Sequence, residues 1–392
     1  MHLTDISKSL KSKKMKIAVV GMVKNEADII ESFVRYTLTF ADEMILYDDG
    51  SRDNTPHILY HLSEEFKGRI IIEKRKDDFS EGRKQDIITK SLLDEAYEKS
   101  KPDWLIPLDA DEFLISRSGK PLRKIFEEMD RSCCHFVKWR QFICMPGEGL
   151  ATDEKAFIPS KFKKYHLDEL KNLAKVVIPS ALYDIEQAII AIGNHDLFRI
   201  DGVSIPKKES EDMILAHYQV RGRNQIMRKA LCGWTSTLLM PQRGENQGYH
   251  QKITYDLIKE KNVLSDEDVA WHGLVGYKEK RPKGLPKCGT IDIKKHYPEI
   301  ECIFESKSDP YMKVFLEYME DIFREVKIVK EELKKTKKEE IELRNILNET
   351  KMSHKKVQKT VLKQKNELDS IKASRGWKTV CGIRILKKKF KI

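Results

Sequence analysis

The sequence predicts an α/β fold, a mostly parallel sheet with helices on both faces, followed by a long C-terminal helix. Three observations point there. Across residues 16–140 short β-rich runs alternate with segments of helical spacing. Two of those runs end in clustered acids. From Tyr311 to Arg375 there is neither proline nor glycine, and apolar residues recur by sevens. Strand–helix alternation implies a parallel sheet covered on both faces, and ligands of such sheets bind outside the carboxyl ends of the strands.

The first run, 16–22, is apolar from Ile17 to Val20. Lys24-Asn25-Glu26 follows it with no small-residue cleavage site, so it reads as a buried strand rather than a signal peptide. Residues 1–14, polar and lysine-rich, read as a loose leader. Further strands are expected at 43–47, 69–73 and 104–108. Helices are expected between them. In 28–39, Ile29, Ile30, Phe33, Val34 and Tyr36 share a face; in 55–65, Ile58, Leu59, Leu62 and then Phe66 recur at helical steps; a third helix covers 83–99. Beyond residue 150 the pattern weakens. It gives strands at 175–178, 188–192 and 213–218, a helix at 224–239, and a loop-rich stretch 240–300 marked by Pro241, Gly244, Gly248, Pro282, Gly284 and Pro286.

From Ile322 two heptad series run side by side. One is Ile322, Val329, Thr336, Leu343, Thr350, Val357, Gln364, Ile371; the other is Val326, Leu333, Glu340, Leu347, His354, Val361, Leu368. Ten of these fifteen are apolar, which predicts a coiled coil over 311–373 and a homo-oligomer formed through it; a long solvated single helix is the plainer alternative.

The chain carries 73 Lys/Arg and 62 Asp/Glu. Residues 311–392 hold 23 and 12 of them, so residues 1–310 are balanced at 50 of each. No acid follows Asp369, while Lys372, Arg375, Lys378, Arg384, Lys387, Lys388, Lys389 and Lys391 are interleaved with Trp377, Val380, Ile383, Ile385, Leu386 and Phe390. Such a basic amphipathic tail (374–392) suits peripheral contact with an anionic membrane face. With basic residues confined there and no recognition motif, nucleic acid is not an expected partner. No stretch approaches the ~20 apolar residues that span a bilayer. Seven cysteines, odd in number and without CxxC spacing, argue against a disulfide framework or zinc ribbon and for a reducing, cytoplasmic setting.

Two clusters carry chemistry. Tyr47-Asp48-Asp49-Gly50-Ser51-Arg52-Asp53-Asn54-Thr55 closes the second strand. Gly50 permits a sharp turn, Asp53 or Thr55 can cap the next helix, and strand-end carboxylates suit hydrogen bonds to a ribose or a base edge. A plain strand–turn–helix junction would look the same. Pro107-Leu108-Asp109-Ala110-Asp111-Glu112-Phe113 closes the fourth strand. On an extended backbone Asp109 and Asp111 would project from one side, and two such hard oxygen ligands suit Mg²⁺ or Mn²⁺, with diphosphate oxygens and water filling the shell.

With Met22-Val23-Lys24-Asn25-Glu26 ahead of them, these clusters stand in the order and spacing of family 2-like glycosyltransferases, which the chain resembles over roughly residues 16–240. The resemblance is to the branch with VKNE and DxDEF motifs, which overlaps family 92-like sequences. Gly193-Asn194-His195 agrees with it, as does His217-Tyr218-x-x-Arg221 before a helix holding Gln225, Lys229, Gly233 and Trp234. The resemblance implies a GT-A-type, Rossmann-like sheet within a catalytic domain 15–305, with a nucleotide-binding half (15–140) and an acceptor half (141–305). It implies that Asn25 and Glu26 line the nucleotide pocket, that Asp48 and Asp49 contact uracil or ribose, and that Arg83 approaches the donor. Asp109 and Asp111 would bind ribose and a metal-bridged diphosphate, with His195 and His217 as further metal or phosphate ligands; each histidine could equally be structural.

The implied cofactor is a divalent metal ion, Mn²⁺ or Mg²⁺. The implied reaction is inverting transfer from a nucleotide-sugar donor to a glycan or lipid-linked acceptor, in bacterial surface-polysaccharide synthesis on the cytoplasmic membrane face. Asp212, beside Glu211, is the expected general base, because related enzymes place an acid in such a pair; an exposed loop carboxylate would look alike. Ser374-Arg375-Gly376-Trp377-Lys378 resembles a short segment at the ends of surface-polysaccharide enzymes. Two other readings rank lower. A nucleotidyltransferase needs a glycine-rich basic loop that Gly21-Met22-Val23-Lys24-Asn25 lacks, and a non-catalytic scaffold would not need intact Asp109 and Asp111.

Overall fold

The computed structural model describes residues 14–74, 85–149, 155–167, 173–238, 248–275, 283–305 and 311–374, together with Gly376 and Thr379. The chain divides into two compact units, Met1–Met319 and Glu320–Ile392.

The first unit opens with the expected alternation: β1 (Ile17–Val23), α1 (Ile30–Thr37), β2 (Glu43–Asp48), α2 (Thr55–Glu65), β3 (Ile70–Lys74), α3 (Gln85–Ser100) and β4 (Trp104–Pro107). It continues through β5 (Glu112–Ser116), α4 (Leu122–Glu128), β6 (Cys134–Gln141), α5 (Ile158–Lys161), β7 (Lys164–His166), β8 (Ala174–Pro179), β9 (Ala188–Ile190), β10 (Leu197–Arg199), β11 (Lys207–Glu209) and β12 (Met213–His217). Then come α6 (Arg223–Leu238), α7 (Tyr249–Lys261), α8 (Asp266–Val275), β13 (Cys288–Thr290) and α9 (Ile293–His296), and finally α10 (Tyr311–Ala373).

The main sheet has the order β3-β2-β1-β4-β8-β6-β12-β5, with β11 also paired to β6. Strands β3, β2, β1 and β4 are mutually parallel, whereas β8 is antiparallel to both β4 and β6, and β5 to β12. Strand β1 is apolar on both faces because both are covered. Ile17 and Val19 join Phe33 of α1 and Leu62 of α2 in one core cluster, while Ala18 and Val20 join Leu92, Leu93 and Ala96 of α3 in the other. This is the mostly parallel, two-sided sheet that the sequence predicts.

The stretch expected to be loop-rich differs. Helices α7 and α8 lie within 240–300, because Gly248 bounds a helix rather than breaking one. Gly248 (φ +73°) caps the start of α7, and Asn262 (φ +62°) stands just past its end. Strands β5 and β6 and helix α4 also lay outside the sequence expectation.

The segment expected as a coiled coil is occupied by the helix α10, most of which falls in the second unit. The whole helix has 63 residues, about 95 Å at ~1.5 Å per residue. Every residue from Lys327 to Ser374 is exposed. Among the described residues no helix is long and apolar enough to cross a membrane.

One close approach sets the seat of the site. A Cβ on Gly21 would lie 2.6 Å from the Leu108 carbonyl oxygen, and that proximity lets Leu108 N donate to Val20 O at 2.9 Å. Gly21→Ala should therefore lower stability by about 1–3 kcal/mol, as overpacking against backbone does. Urea denaturation checks this; an unchanged midpoint contradicts it.

Candidate functional site

The carboxyl ends of β1, β2 and β4 share one edge of the sheet. Val23 stands opposite Asp48, and Val20 opposite Pro107. Strand order reverses at β1, with β2 on one side and β4 on the other, so the edge is a topological switch point.

Past β4 the chain does not stay extended. Glu112 N donates to Asp109 O at 3.0 Å, closing a turn over Asp109–Glu112. The expected projection of Asp109 and Asp111 from one side of a strand is thus replaced by a turn that gives each aspartate its own lysine. Lys175 Nζ, from β8 and 1 % exposed, lies 2.7 Å from Asp109 Oδ2 and 3.2 Å from Glu112 Oε2. Lys229 Nζ, from α6, lies 2.8 Å from Asp111 Oδ2. Burial by itself would raise the Asp111 carboxyl; Lys229, His217 when it carries a second proton, and Arg221 outweigh it and hold the pKa well below the usual carboxylate range.

Antiparallel pairing brings the next residue in. Glu112 of β5 stands opposite His217 of β12, and Tyr218 N donates to Asp111 O at 2.7 Å. His217 Nε2 therefore faces Asp111 Oδ1 at 3.6 Å. The tautomer follows from the other ring nitrogen. Gln141 Nε2 donates to Phe142 O, which leaves Gln141 Oε1 to accept from His217 Nδ1 at 2.8 Å. In neutral imidazole the Nε2 lone pair then points toward a carboxylate oxygen. Two acceptors so opposed are reconciled by a proton or by a cation between them.

Around this pair lies a buried ionic cluster. Arg221, fully buried, donates through Nε and Nη2 to Asp28 at 2.7 and 3.0 Å, and through Nη2 to Glu26 as well. Its Nη1 donates to Tyr218 O at 2.9 Å and lies 3.9 Å from Asp111. It thus ties the loop after β1 to the loop after β12. Arg228 Nη2 reinforces the tie by donating to Asn25 O at 2.6 Å. Burial pushes the Glu26 pKa up despite Lys229 and Arg221; Asp28, though equally buried, is held down by Arg221. Burial also raises Glu112 well above the ordinary range, and its Oε1 has no hydrogen-bond partner among the described residues.

This geometry sits partly within a recognisable stretch: residues 19–178 match the family model described as glycosyl transferase family 2. The chain carries a family 2 glycosyltransferase domain. A TPR repeat-containing protein of Synechococcus elongatus is 29 % identical over 113 residues, which is 29 % of this chain and 25 % of that protein; the chain thus spans about a quarter of this curated relative's length. Among solved structures, the mannosyltransferase PcManGT from Pyrobaculum calidifontis, in complex with GDP-Man and Mn²⁺, aligns over 33 % of this chain and 37 % of its own at 17 % identity, with a TM-score of 0.25. GalNAc-T7 with UDP, GalNAc and Mn²⁺ aligns over 67 % and 57 % at 14 % identity, with a TM-score of 0.31.

The glycosyltransferase domain uses its expected residues unevenly. Asn25 takes a left-handed conformation (φ +55°), and its Oδ1 accepts from Arg52 N at 2.7 Å, so its side chain shapes the loop. Asp48 Oδ1 accepts from Ser51 N at 3.0 Å, and Asp49 Oδ2 meets Lys24 Nζ at 3.2 Å; both close the strand edge beside the cluster. Arg83 lies outside the described residues. His195 Nδ1 donates to Ala174 O at 2.7 Å, burial lowers its pKa, and its ring packs 5.5 Å from Trp139, whose ring also lies tilted 4.3 Å from that of His217. It does not complete a ligand set: among the described residues no three His, Cys, Asp or Glu side chains form a group able to hold a metal.

Asp212 is not brought to the site. It is exposed and precedes β12, whereas His217 ends that strand; five residues at ~3.3 Å put about 17 Å between them. Lys175, the one polar side chain of β8, and Gln141, the last residue of β6, belong to no motif, and only the folded sheet reveals them. A surface cavity of about 580 Å³ bordered by Tyr97, Tyr183, Asp184 and Arg199 includes none of these residues.

Arg221→Ala would leave Glu26 and Asp28 buried without their cation, and should cost about 3–5 kcal/mol. Arg221→Lys should recover only part of that, because a lysine lacks the fork that spans two carboxylates. Chemical denaturation of both variants checks this; a wild-type midpoint for Arg221→Ala contradicts it.

Proposed function

We propose that the chain transfers a sugar from a nucleoside-diphosphate sugar, with UDP as the expected carrier, to a hydroxyl of a glycan or lipid-linked acceptor. The reaction is assisted by Mn²⁺ or Mg²⁺ and inverts the anomeric centre. The observation that carries this reading is the opposed Asp111 Oδ1 and His217 Nε2, 3.6 Å apart at the switch point of a glycosyltransferase domain. Two protein donors with an open remainder suit a cation that keeps water and shares diphosphate oxygens. Asp109 borders the same turn and completes the acidic side. When bound, the ion supplies a Lewis acid for the charge that collects on the departing nucleoside diphosphate.

The protein's own groups do the rest. Arg221 fixes the direction of Asp111 by holding Tyr218 and the loop after β1. Gln141 fixes the His217 tautomer. Lys229, with its side chain 38 % exposed, balances Asp111 in the free chain and is within reach of an incoming phosphate, where it stabilises developing negative charge. Asp48, Asp49 and Glu26 at the neighbouring strand ends face the nucleoside. The basic tail, most of which lies outside the described residues, suits attachment to an anionic membrane that carries the acceptor and fits a role in surface-polysaccharide synthesis.

Hydrolysis of a nucleotide-sugar panel tests the reading. At least one donor should turn over with Mn²⁺ or Mg²⁺ and stop with EDTA. Asp111→Asn should lower that rate about 10²–10³-fold, while Asp212→Ala stays near wild type. Turnover indifferent to both EDTA and Asp111→Asn contradicts the proposal. In calorimetry without nucleotide, Lys229→Met should bind Mn²⁺ more tightly than wild type, because the competing ammonium is gone, and yet turn over more slowly. Weaker Mn²⁺ binding would show that Lys229 supports the site only structurally.

A further inference from the structure

Helix α10 leaves a long apolar stripe in water. Val329, Leu333, Leu343, Leu347, Val357, Val361, Leu368 and Ile371 are each 49–66 % exposed, and all lie on the two heptad series. A contiguous exposed stripe of this kind calls for a cover. Every residue of 327–373 is exposed.

The flanking charges say what the cover is. In a coiled coil the series beginning at Val326 takes the a positions and the series beginning at Ile322 the d positions. From Lys330 onward the e positions are then Lys330, Lys337, Arg344, Lys351, Gln358, Lys365 and Lys372, basic except for one glutamine. The g positions from Glu332 are Glu332, Glu339, Ile346, Ser353, Thr360 and Glu367, with no base among them. In a parallel, in-register pair each g residue meets the e residue five positions later on the other helix. That gives Glu332 with Lys337, Glu339 with Arg344 and Glu367 with Lys372, and no like-charged pair in the remaining three. In an antiparallel pair g meets g and e meets e, setting glutamates against glutamates and lysines against lysines.

We infer that α10 associates with a second copy of this chain as a parallel, in-register, two-stranded coiled coil. The polar seam residues fit two strands better than more, because a two-stranded seam keeps them closer to water. Glu340, at an a position, would face its own counterpart. Arg344, 2.7 Å away on the same helix, neutralises it. The inference stands apart from the proposed reaction. By chain order it gathers two basic tails at one end, where paired weak contacts with an anionic surface reinforce each other.

Sedimentation of the full chain should give a species of about 92 kDa, twice the 45.8 kDa of one copy. Val361→Cys should then cross-link into a covalent dimer under mild oxidation beyond the level of the wild type, whose native cysteines serve as the control. In an antiparallel pair centred on the helix the two introduced sulfurs would be tens of Å apart. The triple variant Glu332→Lys, Glu339→Lys, Glu367→Lys changes only exposed side chains and should weaken the dimer at least tenfold, with helicity of the concentrated sample retained by circular dichroism. A monomer at tens of micromolar overturns self-association. A dimer that fails to cross-link through Val361→Cys, or that ignores the charge reversal, overturns the parallel register.

Discussion

A guanidinium with no access to water holds the candidate site together. Arg221 joins Glu26 and Asp28, on the loop after the first strand, to the backbone of Tyr218, on the loop after β12. Those loops come from distant parts of the chain, and Asp111 lies where they meet. Beside that tie, the Gln141–His217 hydrogen bond sets an imidazole nitrogen 3.6 Å from an Asp111 carboxylate oxygen.

Such a cluster adds little net stability. Desolvating the charges costs about as much as their attraction returns, and well-packed apolar residues would often do as well. Its effect is geometric. The same bonds that satisfy Arg221 leave Asp111 one direction to face and hold the carboxyl ionised against its burial. Lys175 plays the corresponding part for Asp109: burial would lower its pKa, but Asp109 and Glu112 outweigh that and keep it charged. The two aspartates therefore share a turn but sit in separate electrostatic environments, which spacing alone does not show.

How much of this was legible depended on the range of the interaction. Helix α2 begins and ends where its periodicity says, and β1 to β4 fall within a residue or two of their runs, because burial on both faces of a parallel strand leaves a local apolar signature. Helix α7 was hidden because Gly248 reads as a breaker when it is a cap. At the site, Asp111 and His217 stood in motifs, and the sheet does bring them together. Asp212 was misplaced because an acid beside a strand says nothing about which end of the sheet it occupies. Lys175 and Gln141 left no signal, since one lysine in a buried strand is recognised only once its carboxylate partner is known. The pairing inferred for α10 is the opposite case: it rests entirely on local periodicity and flanking charge.

The most direct test of the central claim is the nitrogen coupling of bound Mn²⁺. Electron spin-echo modulation of the Mn²⁺-loaded chain, with histidine labelled by ¹⁵N, reports whether an imidazole nitrogen reaches the ion. A single coupled nitrogen should persist in His195→Gln and disappear in His217→Gln. Bound Mn²⁺ without nitrogen coupling, or with coupling that survives His217→Gln, would contradict it.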